Sequence, residues 1–148
     1  MEQTFIMLKP TTVARSIVGK VLSRIEDKGL KIVGLKMLQM TKEKANRLYA
    51  VHKEKPFYPS LVEYIMSGPI IAMVIEGEDA VTIVRKLIGK TNPKEAEPGT
   101  IRGDYAITMT KNAIHASDSA ENAKAEMSIF FESEEICAYM RADENWIY

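Results

Sequence analysis

The chain is poor in the residues that signal cross-links, metal cages or membrane anchors. Only one of its 148 residues is cysteine, Cys137, so no intrachain disulfide can form and a reducing compartment is expected. That thiol falls in a C-terminal segment that reads as helical, where a small buried apolar role is expected over a reactive one. The two histidines, His52 and His115, form no grouping with other His, Cys or carboxylate residues at metal-site spacing, so no protein-built metal site is expected. Long hydrophobic runs are missing too. The longest, Ile70-Ile71-Ala72-Met73-Val74-Ile75, falls far short of the roughly 20 residues that a membrane-spanning helix needs. The N-terminus enters a strand-like run at once, without a basic region or a small-residue cleavage site, so export is not expected and a cytoplasmic location is. Neither sign of charge dominates: 20 Lys+Arg balance 20 Asp+Glu, whereas a dedicated nucleic-acid binder would carry a basic excess.

What is present fits one domain over residues 1–148, a length at which a chain buries roughly 68–70% of its unfolded surface without staples. Residues 4–9 read as a buried strand halted by Pro10. Val13, Ile17, Val18, Val21, Leu22 and Ile25 then recur at helical spacing over residues 12–27, and Gly29 supplies the stop. Residues 30–39 read as a second strand. Thr41 is a candidate N-cap for a helix reaching about His52, and a short helix around Leu61 to Ile65 ends at Gly68-Pro69. Residues 70–76 form the clearest buried strand, and helical periodicity returns over 79–88. Residues 89–111 lose periodicity, and a long irregular loop in a compact domain is usually functional. A strand holding His115, a helix over 120–131 and a helical turn at Ser133-Glu134-Glu135 complete the chain. The order predicts a ferredoxin-like βαββαβ sandwich of the α/β (α+β) class, with a four-stranded antiparallel sheet, extra helices and a long loop.

Several familiar signals fail. Gly89-Lys90-Thr91 imitates the tail of a phosphate-binding loop, but that motif needs Gly where Val84 stands. No G-x-G-x-x-G, H-R-D, D-F-G or G-x-S-x-G occurs, which removes the Rossmann, protein-kinase and serine-hydrolase readings. His115 is more informative. It ends a short strand, and Asp118-Ser119-Ala120-Glu121 has capping-box spacing at the start of the next helix, so its side chain should face a crevice beside free backbone N–H groups, suited to phosphate. A lone histidine is more often a core or surface residue. Against that stands its chemistry: an imidazole with a reference pKa of about 6.5 is largely neutral at pH 7 and is a competent nucleophile. Lys9, Arg85, Thr91, Arg102 and Asn112 would form a polyphosphate clamp if the sheet sets the first strand beside the last.

Over residues 4–148 the sequence resembles the nucleoside diphosphate kinase family. The resemblance is carried by Asn112-Ala113-Ile114-His115-Ala116-Ser117-Asp118-Ser119, together with Phe5-Ile6-Met7-Leu8-Lys9-Pro10, Ser67-Gly68-Pro69, Gly89-Lys90-Thr91-Asn92-Pro93 and Pro98-Gly99-Thr100-Ile101-Arg102-Gly103-Asp104. It implies a ping-pong exchange: a nucleoside triphosphate, typically ATP, phosphorylates His115 at the ring nitrogen nearer the main chain, and a nucleoside diphosphate collects the group. By matching positions it implies a catalytic set of His115, Lys9, Glu126, Ser117 and Asn112, with Glu126 and Ser117 orienting the imidazole. Lys9, Tyr49, Phe57, Arg85, Thr91, Arg102 and Asn112 would bind nucleotide, Phe57 by stacking on the base. Mg2+ would arrive on the phosphates. Self-association is also implied, as a homohexamer in preference to a tetramer.

The chain departs from the family's pattern at Thr11-Thr12, where an acidic residue and Gly or Ala are common, at Ser16 and Ala116, where Gly is frequent, and at Thr110-Lys111, where Gly-Arg is frequent. Threonine is an acceptable cap, so the first helix should survive. Ala116 is tolerable where φ stays negative. His52 is expected on a helix surface. The competing reading of the whole chain is a non-catalytic nucleotide- or single-stranded nucleic-acid-binding module.

Overall fold

In the computed structural model, which describes residues 1–148, the central element is β1 (Glu2–Leu8), buried on both faces from Thr4 onward. It pairs antiparallel with β3 (Pro69–Gly77) on one side and with β4 (Ile114–Ala116) on the other, while β2 (Lys31–Gln39) closes the sheet beyond β3. The order β2-β3-β1-β4, antiparallel throughout, is the expected ferredoxin-like sheet.

Helices cover both faces, which is why β1 and β3 are continuously apolar instead of alternating. On one face Ile6, Leu8, Met73 and Ile75 meet Val21 and Ile25 of α2 (Val18–Asp27) and Val84 and Ile88 of α5 (Ala80–Ile88). On the other, Phe5, Met7, Ala72 and Val74 meet Ala45 and Leu48 of α3 (Lys42–Leu48), Ile65 of α4 (Tyr58–Ile65) and Phe130 of α7 (Ala120–Phe130). The Phe5 and Phe130 rings stack at 4.9 Å, fastening α7 to β1. Each large side chain so buried contributes roughly 1.5–3 kcal/mol.

The structure corrects several local expectations. The helix foreseen over 12–27 is two, α1 (Pro10–Ala14) and α2, separated by Ser16 at φ +59°. Pro10 sits in the first turn, so the helix starts before the threonines and neither caps it. Tertiary partners take their hydroxyls: Thr11 shares a 2.6 Å hydrogen bond with the Tyr64 hydroxyl, and Thr12 Oγ1 donates to the Ala113 carbonyl at 2.7 Å. The α3 helix stops at Leu48, and a separate 3-10 turn spans Ala50–His52. Inside the long loop lies α6 (Ile101–Tyr105), too short to show periodicity but capped by the Thr100 hydroxyl, which accepts from Gly103 N at 3.0 Å. Cys137 is exposed and outside any helix, because its backbone N–H donates to Val33 O at 2.8 Å, which lays the tail against β2 and leaves the thiol in solvent. No helix is long and apolar enough to cross a membrane.

Candidate active site

Register places His115. It stands opposite Met7 in the β1–β4 ladder, and opposed residues share a face, so the imidazole projects to the side covered by α3 and α7. There it lies 6.1 Å from the Phe5 ring and 6.3 Å from the edge-on Tyr49 ring. The helix α7 begins at Ala120, and Glu126, about two turns along, reaches back so that both carboxylate oxygens lie 3.0–3.1 Å from His115 Nε2. Ser117 Oγ donates to the same carboxylate. A carboxylate only accepts, so Nε2 carries the proton and the lone pair is on Nδ1. The cap of α7 is Ser119, which accepts from Asn122 N at 3.1 Å, whereas Asp118 accepts from the Asn122 side chain. The helix N-terminus is thus capped from within, and the positive charge of the site comes from side chains on other elements.

The backbone just before His115 is strained. Ala113 has φ +73°, and Ile114 N donates to Asn112 O at 2.9 Å, an i to i+2 bond that marks a tight γ-turn of the rare hand. Such a residue costs of order 1–3 kcal/mol and persists only where its surroundings hold it. Here the surroundings are the predicted site residues. Ala113 O accepts from Lys9 N at 2.9 Å and from Thr12 Oγ1. Arg102 donates to Asn112 O at 3.3 Å, to Ile114 O at 2.7 Å and to Gly89 O at 3.1 Å. The positive φ therefore lies at Ala113, and Ala116 is an ordinary strand residue.

Lys9 Nζ donates to Asn112 Oδ1 at 2.7 Å, and Asn112 Nδ2 donates to Thr91 O at 3.1 Å, so three residues far apart in sequence form one chain of bonds. Lys9 is 7% exposed and in no ion pair; burial first, and the charge of Arg102 second, push its pKa down to about 8. Arg102, equally buried, is pushed down to about 10 by burial and then by Arg85. Arg85, exposed near the end of α5, reaches Ala116 O at 3.3 Å. Buried cations without acidic partners are costly. An anion placed among them would remove that cost. Three donations leave Arg102 two of its five N–H groups for such an anion.

Beyond Tyr49 the site opens toward Phe57, 49% exposed. His52 joins the two, its ring 6.4 Å from Tyr49 and 5.4 Å from Phe57. Its place is in a turn inside the site, not on a helix surface, and its pKa is lowered by burial and by Lys55 and His115. The Tyr49 hydroxyl and His52 Nδ1 are buried without a hydrogen-bond partner. Burial raises the pKa of Tyr49, which keeps it a neutral donor. The structure thus brings together Lys9, Tyr49, Arg85, Thr91, Arg102, Asn112, His115, Ser117 and Glu126, and Phe57 joins only through His52. Thr12 and Phe5 were not among the expected site residues: one is a helix threonine that reaches the Ala113 carbonyl from α1, and the other a core aromatic that its place on β1 sets beside His115.

No three His, Cys, Asp or Glu side chains converge to hold a metal ion. Glu126 is bonded to His115, and Asp118 to Asn122. The donor set therefore fits a divalent ion carried in on phosphate oxygens rather than one held in a cage of side chains.

Comparison with known proteins places this geometry. The sequence pattern of the family described as nucleoside diphosphate kinase matches residues 2–136. A nucleoside diphosphate kinase of Archaeoglobus fulgidus is 54% identical over 148 residues, covering 100% of this chain and 98% of its own. One of Kosmotoga olearia is 58% identical over 139 residues, covering 94% and 95%. Among solved structures, a halophilic nucleoside diphosphate kinase from Halobacterium salinarum in complex with CDP matches with a TM-score of 0.97 at 44% identity, covering 99% of this chain and 98% of that one.

Proposed function

The chain belongs to the nucleoside diphosphate kinase family and is an enzyme of that class; we propose that it works in two half-reactions through a phosphate carried on Nδ1 of His115. One observation carries this reading. Glu126 holds Nε2, leaving the lone pair on Nδ1, and the chain just before His115 is bonded to Lys9 and Arg102, buried cations that have no acidic partner. In the first half-reaction the lone pair attacks the terminal phosphorus of a nucleoside triphosphate, the bond to the bridging oxygen breaks, and the diphosphate leaves. The ring becomes cationic, and the Glu126 carboxylate against Nε2 stabilises it. The second half-reaction runs the same displacement backwards onto another nucleoside diphosphate, with little net free-energy change because the phosphoramidate is itself energy-rich.

Lys9, Arg85, Thr91, Arg102 and Asn112 are assigned to the phosphates and the transferred group, with Tyr49 beside them. Phe57 is assigned to the base, an aromatic face that attracts any base without reading its edge. That the Halobacterium salinarum relative was solved with CDP supports a diphosphate in this site. Mg2+ would be held by the phosphates that these residues bind, supplying charge neutralisation between their oxygens.

Incubation with γ-labelled ATP and magnesium is expected to give an acid-labile, base-stable label that GDP removes. If His115→Ala accepts and passes on label at the wild-type rate, the mechanism is wrong. A mere binding module would bind nucleotide independently of His115. We further propose one catalytic domain over residues 1–148, a cytoplasmic location and a homohexamer. Exposed Leu35 and Met37 on the edge strand, with Ile107, Met109 and Trp146, supply apolar surface for assembly. A light-scattering mass of four subunits, or of one, would overturn the hexamer.

A further inference from the structure

The loop that carries Thr91 and Arg102 has only a five-residue helix, α6, to order it, and a helix that short does not persist unaided. From the inside it is held by fully buried Ile101 and by the three bonds of Arg102. From the outside Arg15 donates to the Tyr105 carbonyl, and Arg24 of α2 grips the segment at three points. Its Nη1 donates to Gly99 O at 2.8 Å, its Nη2 donates to Asp104 Oδ2 at 2.5 Å, and its guanidinium lies 5.0 Å from the centre of the Tyr105 ring. Asp104 closes the ring of bonds by accepting from Gly99 N through Oδ1 at 2.9 Å. The Arg24 and Asp104 side chains are 26% and 28% exposed, so water competes only in part for the pair. The bonds are charge-assisted, and Arg24 joins the entry and the exit of the segment to a helix packed in the core.

We propose that Arg24 and Asp104 are positioning residues of the phosphate site, whose clasp presets residues 99–105 so that Arg102 is aimed before nucleotide arrives. The inference rests on the reading of Arg102 as a phosphate contact. Neither residue touches substrate, and both act through Gly99, Tyr105 and the backbone of α6. Without the clasp, only a fraction of molecules holds the segment in place at any moment, and apparent affinity weakens by the reciprocal of that fraction. At saturating nucleotide the bound phosphates restore the competent segment, so the maximal rate is spared while affinity falls.

The test is ADP binding by calorimetry, steady-state kinetics and amide hydrogen exchange on wild type, Arg24→Ala, Asp104→Asn, the double variant and Arg102→Ala. For Arg24→Ala, ADP affinity and KM are expected to weaken roughly five- to tenfold, as when the competent fraction falls to about 0.1–0.2. The maximal rate should stay within about twofold, and exchange should quicken in 99–105 but not in β1 or α7. Asp104→Asn should act in the same direction, and the double variant should be no worse than Arg24→Ala. Unchanged affinity and exchange in Arg24→Ala, while Arg102→Ala weakens binding, overturn the clasp alone. Unchanged affinity in Arg102→Ala overturns the reading beneath it as well. A fall in maximal rate with faster exchange in β1 would show a general scaffold role and also overturn the proposal.

Discussion

Lys9→Met is expected to make the nucleotide-free protein more stable while abolishing most of its activity. Lys9 holds an ammonium in the interior with no acid beside it, and its pKa falls from 10.5 to about 8 through burial and then through Arg102. Because the folded pKa lies below the unfolded one, the folded state bears the full cost of the charge at any pH below about 8. Between about 8 and 10.5 the folded protein sheds that proton while the unfolded chain keeps it, so stability rises with pH in this window. At about 1.4 kcal/mol per pH unit, the gap corresponds to a cost of about 3 kcal/mol at neutral pH. Methionine keeps the apolar stem but removes the donor to Asn112 Oδ1, and leaving that oxygen short of a partner costs about 1–2 kcal/mol. The net expectation at pH 7 is a gain of about 1–2 kcal/mol, or a rise in Tm of roughly 3–6 °C for a chain of this length. Urea unfolding of both proteins from pH 6 to 10.5, at one protein concentration and without nucleotide, reads it directly. The two stability curves should cross between about pH 8 and 10.5, since only the wild type gains there. A variant that is less stable at pH 7, or curves that run parallel through the window, would refute the idea of an uncompensated ammonium.

Glu126→Gln should slow labelling of His115 by about 10–100-fold with little change in KM, because the imidazole loses the carboxylate that orients Nε2 and stabilises the cationic ring; single-turnover labelling decides, and an effect confined to KM would count against it. Phe57→Ala should weaken purine and pyrimidine diphosphates alike, by about 1–3 kcal/mol each. A loss for one base class only would mean that Phe57 reads edges. Ala113→Val should lower stability by about 2 kcal/mol or more in urea titrations, since a β-branched residue at φ +73° is a steric outlier. Ser16→Gly should raise it by about 0.5–1 kcal/mol by relieving the positive φ between α1 and α2.

Much of the fold was legible. Helical spacing located α2 and α5, apolar content located β1 and β3, and the element order named the sheet. Misreadings cluster where a short-range rule met a longer-range demand. Helical spacing ran through Ser16 because apolar residues on both sides face the same core, although the backbone turns there. Asp118 had the better spacing for a cap, but Ser119 takes the role and Asp118 bonds the Asn122 side chain. Cys137 carried a buried prior as a residue type, and a backbone bond to Val33 turned it outward.

The residues by themselves determined the class of fold and supplied the proposed nucleophile and the list of cations, because hydrophobic period and local motif are properties of neighbouring positions. Only the tertiary structure decided how those residues meet. Lys9 and Asn112 are 103 positions apart, and they meet because β1 pairs with β4 in the register that sets Met7 opposite His115. Packing across the sheet also buries Lys9 and Arg102 without acidic partners, holds Ala113 at a positive φ and sets Glu126 against Nε2 of His115. Burial, charge coupling and backbone strain depend on what lies across the sheet, and no run of neighbouring residues contains that information.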